Sequence, residues 1–416
     1  MPIFTDKFQN NELFGKNLNT EIPFINPDKE EQSIVEFVNK MTWDAIQKGA
    51  SDIHIEPFEN HYRIRYRQDG ILYEIATLPK PWGERITARI KILSQLDIAE
   101  RRLPQDGRFK NSVPNKEYIN FRVSICPCIQ GEKIVLRILN SEKLLLSINH
   151  LGLEPQQEKL VINSLQKSQG LILVTGPTGS GKTISLYSAL NILNTSKVNI
   201  TTIEDPIEIP LNGITQVNVN LKTGLTFPTA LRAFLRQDPD IIMVGEMRDY
   251  ETANIAIKAA QTGHLVLSTL HTNSAVETII RLLNMGITVD SMTSSISLII
   301  AQRLLRTLCL KCKINEYLSK ETLLQQGFNE EQIPYLTLYK ARHCAECREG
   351  YKGRIGIFEV LPMHEKIVKT ILTRANSLDL TKTANELGML NLRQAGLLKV
   401  KNGITSLAEL NRVTQE

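Results

Sequence analysis

Apolar and polar positions fall into two regimes along the chain. In the first, Ile34, Phe37, Val38, Met41 and Ile46 recur at helical spacings, which predicts a helix starting near Ser33. Residues 52–56 and 62–67 then alternate apolar with polar side chains and predict strands. Asp69-Gly70 predicts a hairpin turn into Ile71-Leu72-Tyr73. A helix over 83–95 and strands over 119–125 and 133–139 complete an α+β domain with an antiparallel sheet. In the second regime, after a helix near 156–166, residues 171–174, 241–244 and 265–268 are continuously apolar and separated by helical stretches. Strands of that kind are buried on both faces, as in the parallel sheet of an α/β fold. The predicted order is a polar leader over 1–31, an amino-side α+β domain over 32–140 and a linker over 141–150. An α/β core over 151–305, a cysteine-bearing insert over 306–360 and a helical region over 361–416 follow.

Composition narrows the function. Of 416 residues, 42% are hydrophobic and 22% charged, which excludes disorder over most of the chain. No run approaches the ~20 apolar residues needed for a membrane-spanning helix. The first 31 residues have no apolar signal core, so export is not expected. The net charge is +5. Residues 51–140 hold 15 Lys+Arg against 11 Asp+Glu, and so most of that excess. Aromatics make up 6% and no basic run appears, which speaks against the aromatic-lined channel of a nucleic-acid translocase. No direct nucleic-acid partner is expected.

The strongest chemical signal is Gly176-Pro177-Thr178-Gly179-Ser180-Gly181-Lys182-Thr183, between the apolar strand 171–174 and a helical stretch. The glycines let backbone N–H groups turn toward an anion, and the helix N-terminus adds partial positive charge. Lys182 can reach the β- and γ-phosphates, and the Thr183 hydroxyl can ligate Mg²⁺. Two acidic groups follow at predicted strand ends, Glu204-Asp205-Pro206-Ile207-Glu208 and Gly245-Glu246. Ligands of open parallel sheets bind at such carboxyl ends. Glu204 and Glu246 are therefore expected to converge on the loop, one activating water and the other holding Mg²⁺, in either order. These two carboxylates also argue against a nucleotide-dependent scaffold without turnover. His271 follows a third strand and fits a γ-phosphate sensor; His264 precedes that strand and is the weaker nucleotide-binding candidate.

Cys309-Leu-Lys-Cys312 and Cys344-Ala-Glu-Cys347 are two C-x-x-C pairs. Four thiolates at this spacing suit tetrahedral Zn²⁺ in a closed, structural site. Cys126-Pro-Cys128 lies in strand-like sequence and reads as packing.

These blocks together resemble the secretion ATPases of the GspE/PilB type, which drive type II secretion and type IV pilus assembly. The resemblance rests on the phosphate loop, the acidic box 202–208 with Gln216 and Asn218, the segments 231–240 and 245–249, and the histidine box 262–273. It extends to Ser51-Asp-Ile-His-Ile-Glu-Pro57, Arg65-Tyr-Arg-Gln-Asp-Gly70, Pro104-Gln-Asp-Gly-Arg108 and Gly131-Glu. It implies a RecA-like ATPase core preceded by a smaller, PAS-like α+β domain. It also implies a homo-hexamer that binds ATP and Mg²⁺ near a subunit boundary and acts on an inner-membrane platform protein from the cytoplasmic side. In the family, amino-side arginines approach the γ-phosphate. Arg65 falls on one such position, Arg67 and Arg108 are further candidates, and Lys80 stands where relatives often carry arginine. Read without the resemblance, Arg63, Arg65 and Arg67 form the solvated face of an edge strand. The family implies Glu204 as the base and Glu246 as the Mg²⁺ support. Retraction members lack the tetracysteine insert, so its presence implies an assembly or secretion motor, with a DNA-uptake pseudopilus motor as the alternative. Relatives commonly carry a further amino-terminal docking domain, for which the first 31 residues are expected to be too short.

Overall fold

The computed structural model describes residues 30–113, 116–139, 147–373 and 376–414. Most of the expected leader, and residues 141–146 of the expected linker, lie outside them. The chain divides into two compact units, Met1–Ser141 and Glu142–Glu416.

Among the described residues, the first unit is one antiparallel sheet with two helices. α1 (Glu30–Gln47) precedes β1 (Asp52–Pro57), β2 (His61–Gln68) and β3 (Ile71–Pro79). α2 (Lys80–Leu93) leads to β4 (Gln105–Val113), β5 (Lys116–Cys128) and β6 (Gly131–Leu139). The strand order is β3-β2-β1-β6-β5-β4. The turn at Asp69-Gly70 has φ of 48° and 88°, the left-handed pair that a two-residue hairpin needs. Ile53, Ile55, Ile64, Tyr66, Phe121, Val123, Ile134 and Leu136 are buried with Phe37, Val38 and Met41 of α1 and Ile86 and Ile90 of α2. The intervening positions point the other way. β2 lies between β3 and β1, so its arginines are not on an edge strand.

The second unit has a seven-stranded sheet in the order β15-β12-β7-β11-β10-β8-β9. Its elements begin with α3 (Pro155–Leu165), β7 (Gly170–Thr175), α4 (Lys182–Leu193), β8 (Ile200–Glu204), β9 (Thr215–Asn218) and α5 (Phe227–Phe234). Next are β10 (Ile241–Val244), α6 (Tyr250–Gln261), β11 (Leu265–Leu270), α7 (Ala275–Asn284), α8 (Val289–Ser295) and β12 (Ile296–Leu308). All pairings are parallel except β12 with β15 (Tyr351–Pro362). Alternate residues of the apolar strands enter different cores. Leu171, Leu173, Ile242 and Val244 pack with α5, α6 and α7, whereas Ile172, Val174, Ile241 and Met243 pack with α3 and α4. Burial of each such side chain stabilises the fold by roughly 1.5–3 kcal/mol.

The cysteine segment lies between β12 and β15 and carries β13 (Ile314–Glu316), α9 (Lys320–Gln326) and β14 (Leu338–Lys340). Residues 351–360, which sequence placed in the insert, and 361–362, which it placed in the helical region, form β15 and join the core sheet through ten register pairs with β12. The chain then ends in α10 (Glu365–Leu372), α11 (Ser377–Glu386), α12 (Leu392–Lys401) and α13 (Leu407–Thr414). Leu323, Phe328 and Leu338 of the insert share a core with Leu397 and Leu410. Buried Glu409 of α13 accepts both Arg306 Nε (3.0 Å) and Nη2 (2.9 Å), and Arg306 stacks on Tyr351 with its Cζ 4.1 Å from the ring centre.

Candidate nucleotide site and tetracysteine centre

The phosphate loop begins where the fully buried β7 ends. Gly176 has φ +146°, and a Cβ there would lie 2.5 Å from the Gln302 carbonyl oxygen and 2.6 Å from Ser180 Oγ. Only glycine permits this approach, which presses the loop against β12. Pro177, Thr178 and Gly179 form its exposed tip, and Gly181 caps α4 with φ +91°. Behind the loop, Ser185 Oγ donates to Gln302 Oε1 at 2.8 Å. Ser180 Oγ is buried and makes no hydrogen bond. Lys182 Nζ donates to the carbonyls of Gly176 (2.8 Å) and Pro177 (3.0 Å). Burial pushes the Lys182 pKa down to about 8; the nearby charge of Glu246 opposes that shift and Arg303 adds to it. An unpartnered buried hydroxyl, an ammonium and a helix N-terminus form a donor set that fits a phosphate. Thr183, half-buried in the first turn of α4, fits the Mg²⁺-ligand position of that set.

Glu246 follows Gly245 at the end of β10, where a Cβ on Gly245 would sit 3.3 Å from Glu204 Cα. Its carboxylate pairs with Arg248 and lies 3.6 Å from His271 Nε2. The His271 pKa is lowered, first by burial and then by the charge of Lys182. Lys182, Glu246, Arg248 and His271 thus share one electrostatic neighbourhood.

Glu204 is placed differently. It ends β8 and is only 4% exposed. Oε2 accepts the Tyr187 hydroxyl, and Oε1 accepts Thr202 Oγ1 at 2.6 Å and Gln216 Nε2 at 3.1 Å. Both oxygens thus accept hydrogen bonds from protein donors, and Glu204 is held inside the fold between α4 and β9. Glu208, four residues on, is half-buried on the same acidic loop. His264 also departs from expectation. Its Nδ1 lies 3.0 Å from the Ala259 carbonyl at the end of α6. It stands just before the amino end of β11, seven residues and ~23 Å of strand from His271, and is not brought to the phosphate loop.

The candidate arginines lie in the first unit. Arg65 makes a two-pronged pair with buried Glu56 (Nε and Nη2, both 2.8 Å), which also holds Arg63 Nη2 (3.1 Å) and Lys133 Nζ (3.2 Å). Arg67 Nη1 donates to the Gly70 carbonyl at 2.9 Å, and its Nε is 3.8 Å from Asp52. Arg108 is exposed opposite Arg122. Cross-strand register places Arg67, Asp52, Arg137, Arg122 and Arg108 in a single row across five strands. Arg122 and Arg137 escaped sequence reasoning because only the register reveals that row. Although burial opposes it, hydrogen bonds and charge from Arg65 and Lys133 bring the Glu56 pKa down to about 2 from 4.5. The sign follows: a depressed carboxylate stabilises the fold above its unfolded pKa, and that contribution disappears as pH falls from about 4.5 to about 2. At ~1.4 kcal/mol per pKa unit the shift corresponds to at most ~3.4 kcal/mol, and solvent screening at the partly exposed Arg63, Arg65 and Lys133 lowers it to about 2–3 kcal/mol. Thermal unfolding of the full chain across this window should therefore fall more steeply for wild type than for Glu56→Gln; parallel curves would contradict the assignment.

The four cysteines of the insert come together. All four Sγ atoms lie within 4.8 Å of one another, with Cys309–Cys344 at 3.9 Å, Cys312–Cys347 at 3.6 Å and Cys344–Cys347 at 3.5 Å. Tetrahedral Zn–S bonds of ~2.3 Å require sulfur separations of ~3.8 Å, so the residues fit. Cys126 and Cys128 are exposed at the end of β5, which corrects their reading as packing residues.

Strand, glycine loop, helix and carboxylates at the adjoining strand ends define a RecA-like P-loop ATPase. Within that class, the chain belongs to the family described as type II/IV secretion system proteins, whose model matches residues 27–412. The type IV pilus assembly ATPase PilB of Acinetobacter baylyi is 54% identical over 390 residues, covering 93% of this chain and 67% of that protein. Type II secretion system protein E of Pseudomonas aeruginosa is 43% identical over 389 residues, covering 93% and 77%. Among solved structures, the pilus retraction motor PilT with bound ADP is 27% identical with a TM-score of 0.62, covering 91% of this chain and 97% of that one. The Legionella pneumophila ATPase DotB, at 22% identity and a TM-score of 0.66, shares the fold over 94% and 96%.

Proposed function

We propose that the chain is the hexameric ATPase motor of a type IV pilus assembly system. The observation that carries this reading is the 54% identity to PilB against 43% to type II secretion protein E. The tetracysteine cluster supports assembly or secretion over retraction. Type II secretion is the second reading, supported by the same fold and loop.

In this account the phosphate-loop N–H groups, Ser180 and Lys182 hold the β- and γ-phosphates of ATP. Thr183 and Glu246 hold Mg²⁺, which neutralises charge on the phosphates when bound. Glu208 orients and deprotonates the attacking water, His271 and Arg248 border the γ-phosphate, and Glu204 acts as an internal anchor of the acidic loop. Catalysis is positioning and charge neutralisation around the transferring phosphoryl group. Arg65, Arg67 and Arg108 contribute phosphate contacts in the assembled hexamer. Cys309, Cys312, Cys344 and Cys347 hold a structural Zn²⁺. Among the described residues no helix is long and apolar enough to cross a membrane. Binding to an inner-membrane platform protein would hold the motor at the cytoplasmic face.

The test is purified full-length chain with Mg²⁺ and Zn²⁺. Mg²⁺-dependent ATP hydrolysis by a species of six-chain mass, captured by the platform protein of its host's pilus system, is expected. No hydrolysis even with that platform protein, or capture only by the secretion platform, would overturn the pilus-motor reading.

A further inference from the structure

We infer that Tyr187 is a positioning residue that ties the phosphate-loop helix to the water-activating carboxylate loop. This rests on the assignment of Glu208 made above. Tyr187 lies in α4, one turn beyond Thr183, and is fully buried. Its hydroxyl works in two directions. It donates to Glu204 Oε2, and it accepts the Glu208 backbone N–H at 3.4 Å. The chain Glu208 N–H to Tyr187 O–H to Glu204 carboxylate has one donor and one acceptor at each step, so each bond polarises the next.

The rest of the acidic loop is held from the opposite side. Asn218 Oδ1 accepts Ile207 N–H at 2.8 Å, and Gln216 Oε1 accepts Leu211 N–H at 2.6 Å. Gln216 Nε2 donates to the Ile209 carbonyl at 3.1 Å and to Glu204 Oε1 at 3.1 Å. Both of those residues come from β9. The Glu208 backbone N–H is bonded from α4, the helix whose first turn carries Lys182 and Thr183. Any shift of that helix on phosphate binding is passed through a rigid aromatic ring to the peptide that carries Glu208. Buried Glu204 fixes the ring by a charge-assisted bond. Tyr187 itself has no role in holding nucleotide.

The experiment is a double-mutant cycle in the full chain, with turnover normalised to bound nucleotide sites so that partial misfolding does not enter. Tyr187→Phe keeps the ring and removes the hydroxyl. Its kcat should fall ~10-fold, while the affinity for a fluorescent ATP analogue stays within ~2-fold. In a Glu208→Gln background, Tyr187→Phe should change residual turnover by less than ~2-fold, because the residue it positions is already disabled. Gln216→Ala, which loosens the loop from the β9 side, should lower turnover in wild type and less so in Tyr187→Phe. Unchanged kcat in Tyr187→Phe, or a parallel loss of kcat and nucleotide affinity, would overturn the inference. Independent multiplication of the Tyr187 and Glu208 effects would do the same. Wild-type turnover by Glu208→Gln alone would sink the carboxylate assignment, and this inference with it.

Discussion

Lys182→Ala should lower Mg²⁺-ATP turnover by at least ~100-fold and leave one zinc per chain in place. Lys182 is the ammonium that the loop folds around, held by the Gly176 and Pro177 carbonyls and kept partly out of water. Its removal takes away the charge that meets the developing negative charge on the transferred phosphoryl group. Single electrostatic donors of this kind are worth ~100- to 1,000-fold in rate. Hydrolysis by the purified variant and its metal content by elemental analysis check both halves. The tetracysteine ligands lie in the segment between β12 and β15, whereas Lys182 Nζ is bonded to the Gly176 and Pro177 carbonyls, so a fall in zinc would contradict the separation of the two sites. Turnover within tenfold of wild type would contradict the placement of the phosphates.

Cys344→Ser should reduce metal from about one ion per chain toward none and loosen the carboxy-terminal region. A structural zinc contributes ~10–16 kcal/mol of binding free energy in isolated fingers, so even a fraction of that exceeds ordinary mutational effects. The insert it closes shares an apolar core with α12 and α13, and Glu409 of α13 holds Arg306 of β12. Loss of the metal should therefore expose protease sites in residues 309–350 and in the last two helices at once. Chelation of wild type should reproduce the variant's cleavage pattern. Full metal content in Cys344→Ser would refute the four-thiolate centre.

Local pattern made the centre of the fold legible. The apolar run before Gly176, the three glycines and the helix after Thr183 are contiguous, so strand, loop and helix could be read without knowing any neighbour. The same holds for the turn at Asp69-Gly70 and the two C-x-x-C pairs. Features that depend on distant pairing were hidden. Glu204 reads as a strand-end carboxylate, and its burial follows only once Tyr187 from α4 and Gln216 from β9 converge on it. The local signal is Tyr187 itself, a polar-tipped aromatic beside the apolar Leu186, Ala189 and Leu190, a residue that seeks a partner when buried. His264 and His271 look equivalent as the two ends of one strand, but the parallel sheet presents only the carboxyl end of β11 to the loop. The arginine row and the place of β15 beside β12 are matters of register, which no single segment encodes.

The most direct test of the motor assignment is made in the host cell. In a strain lacking this gene, wild-type protein should restore surface pili. Lys182→Ala at equal abundance should restore none. Pili restored equally well by Lys182→Ala would contradict the claim that ATP turnover at this loop drives their assembly.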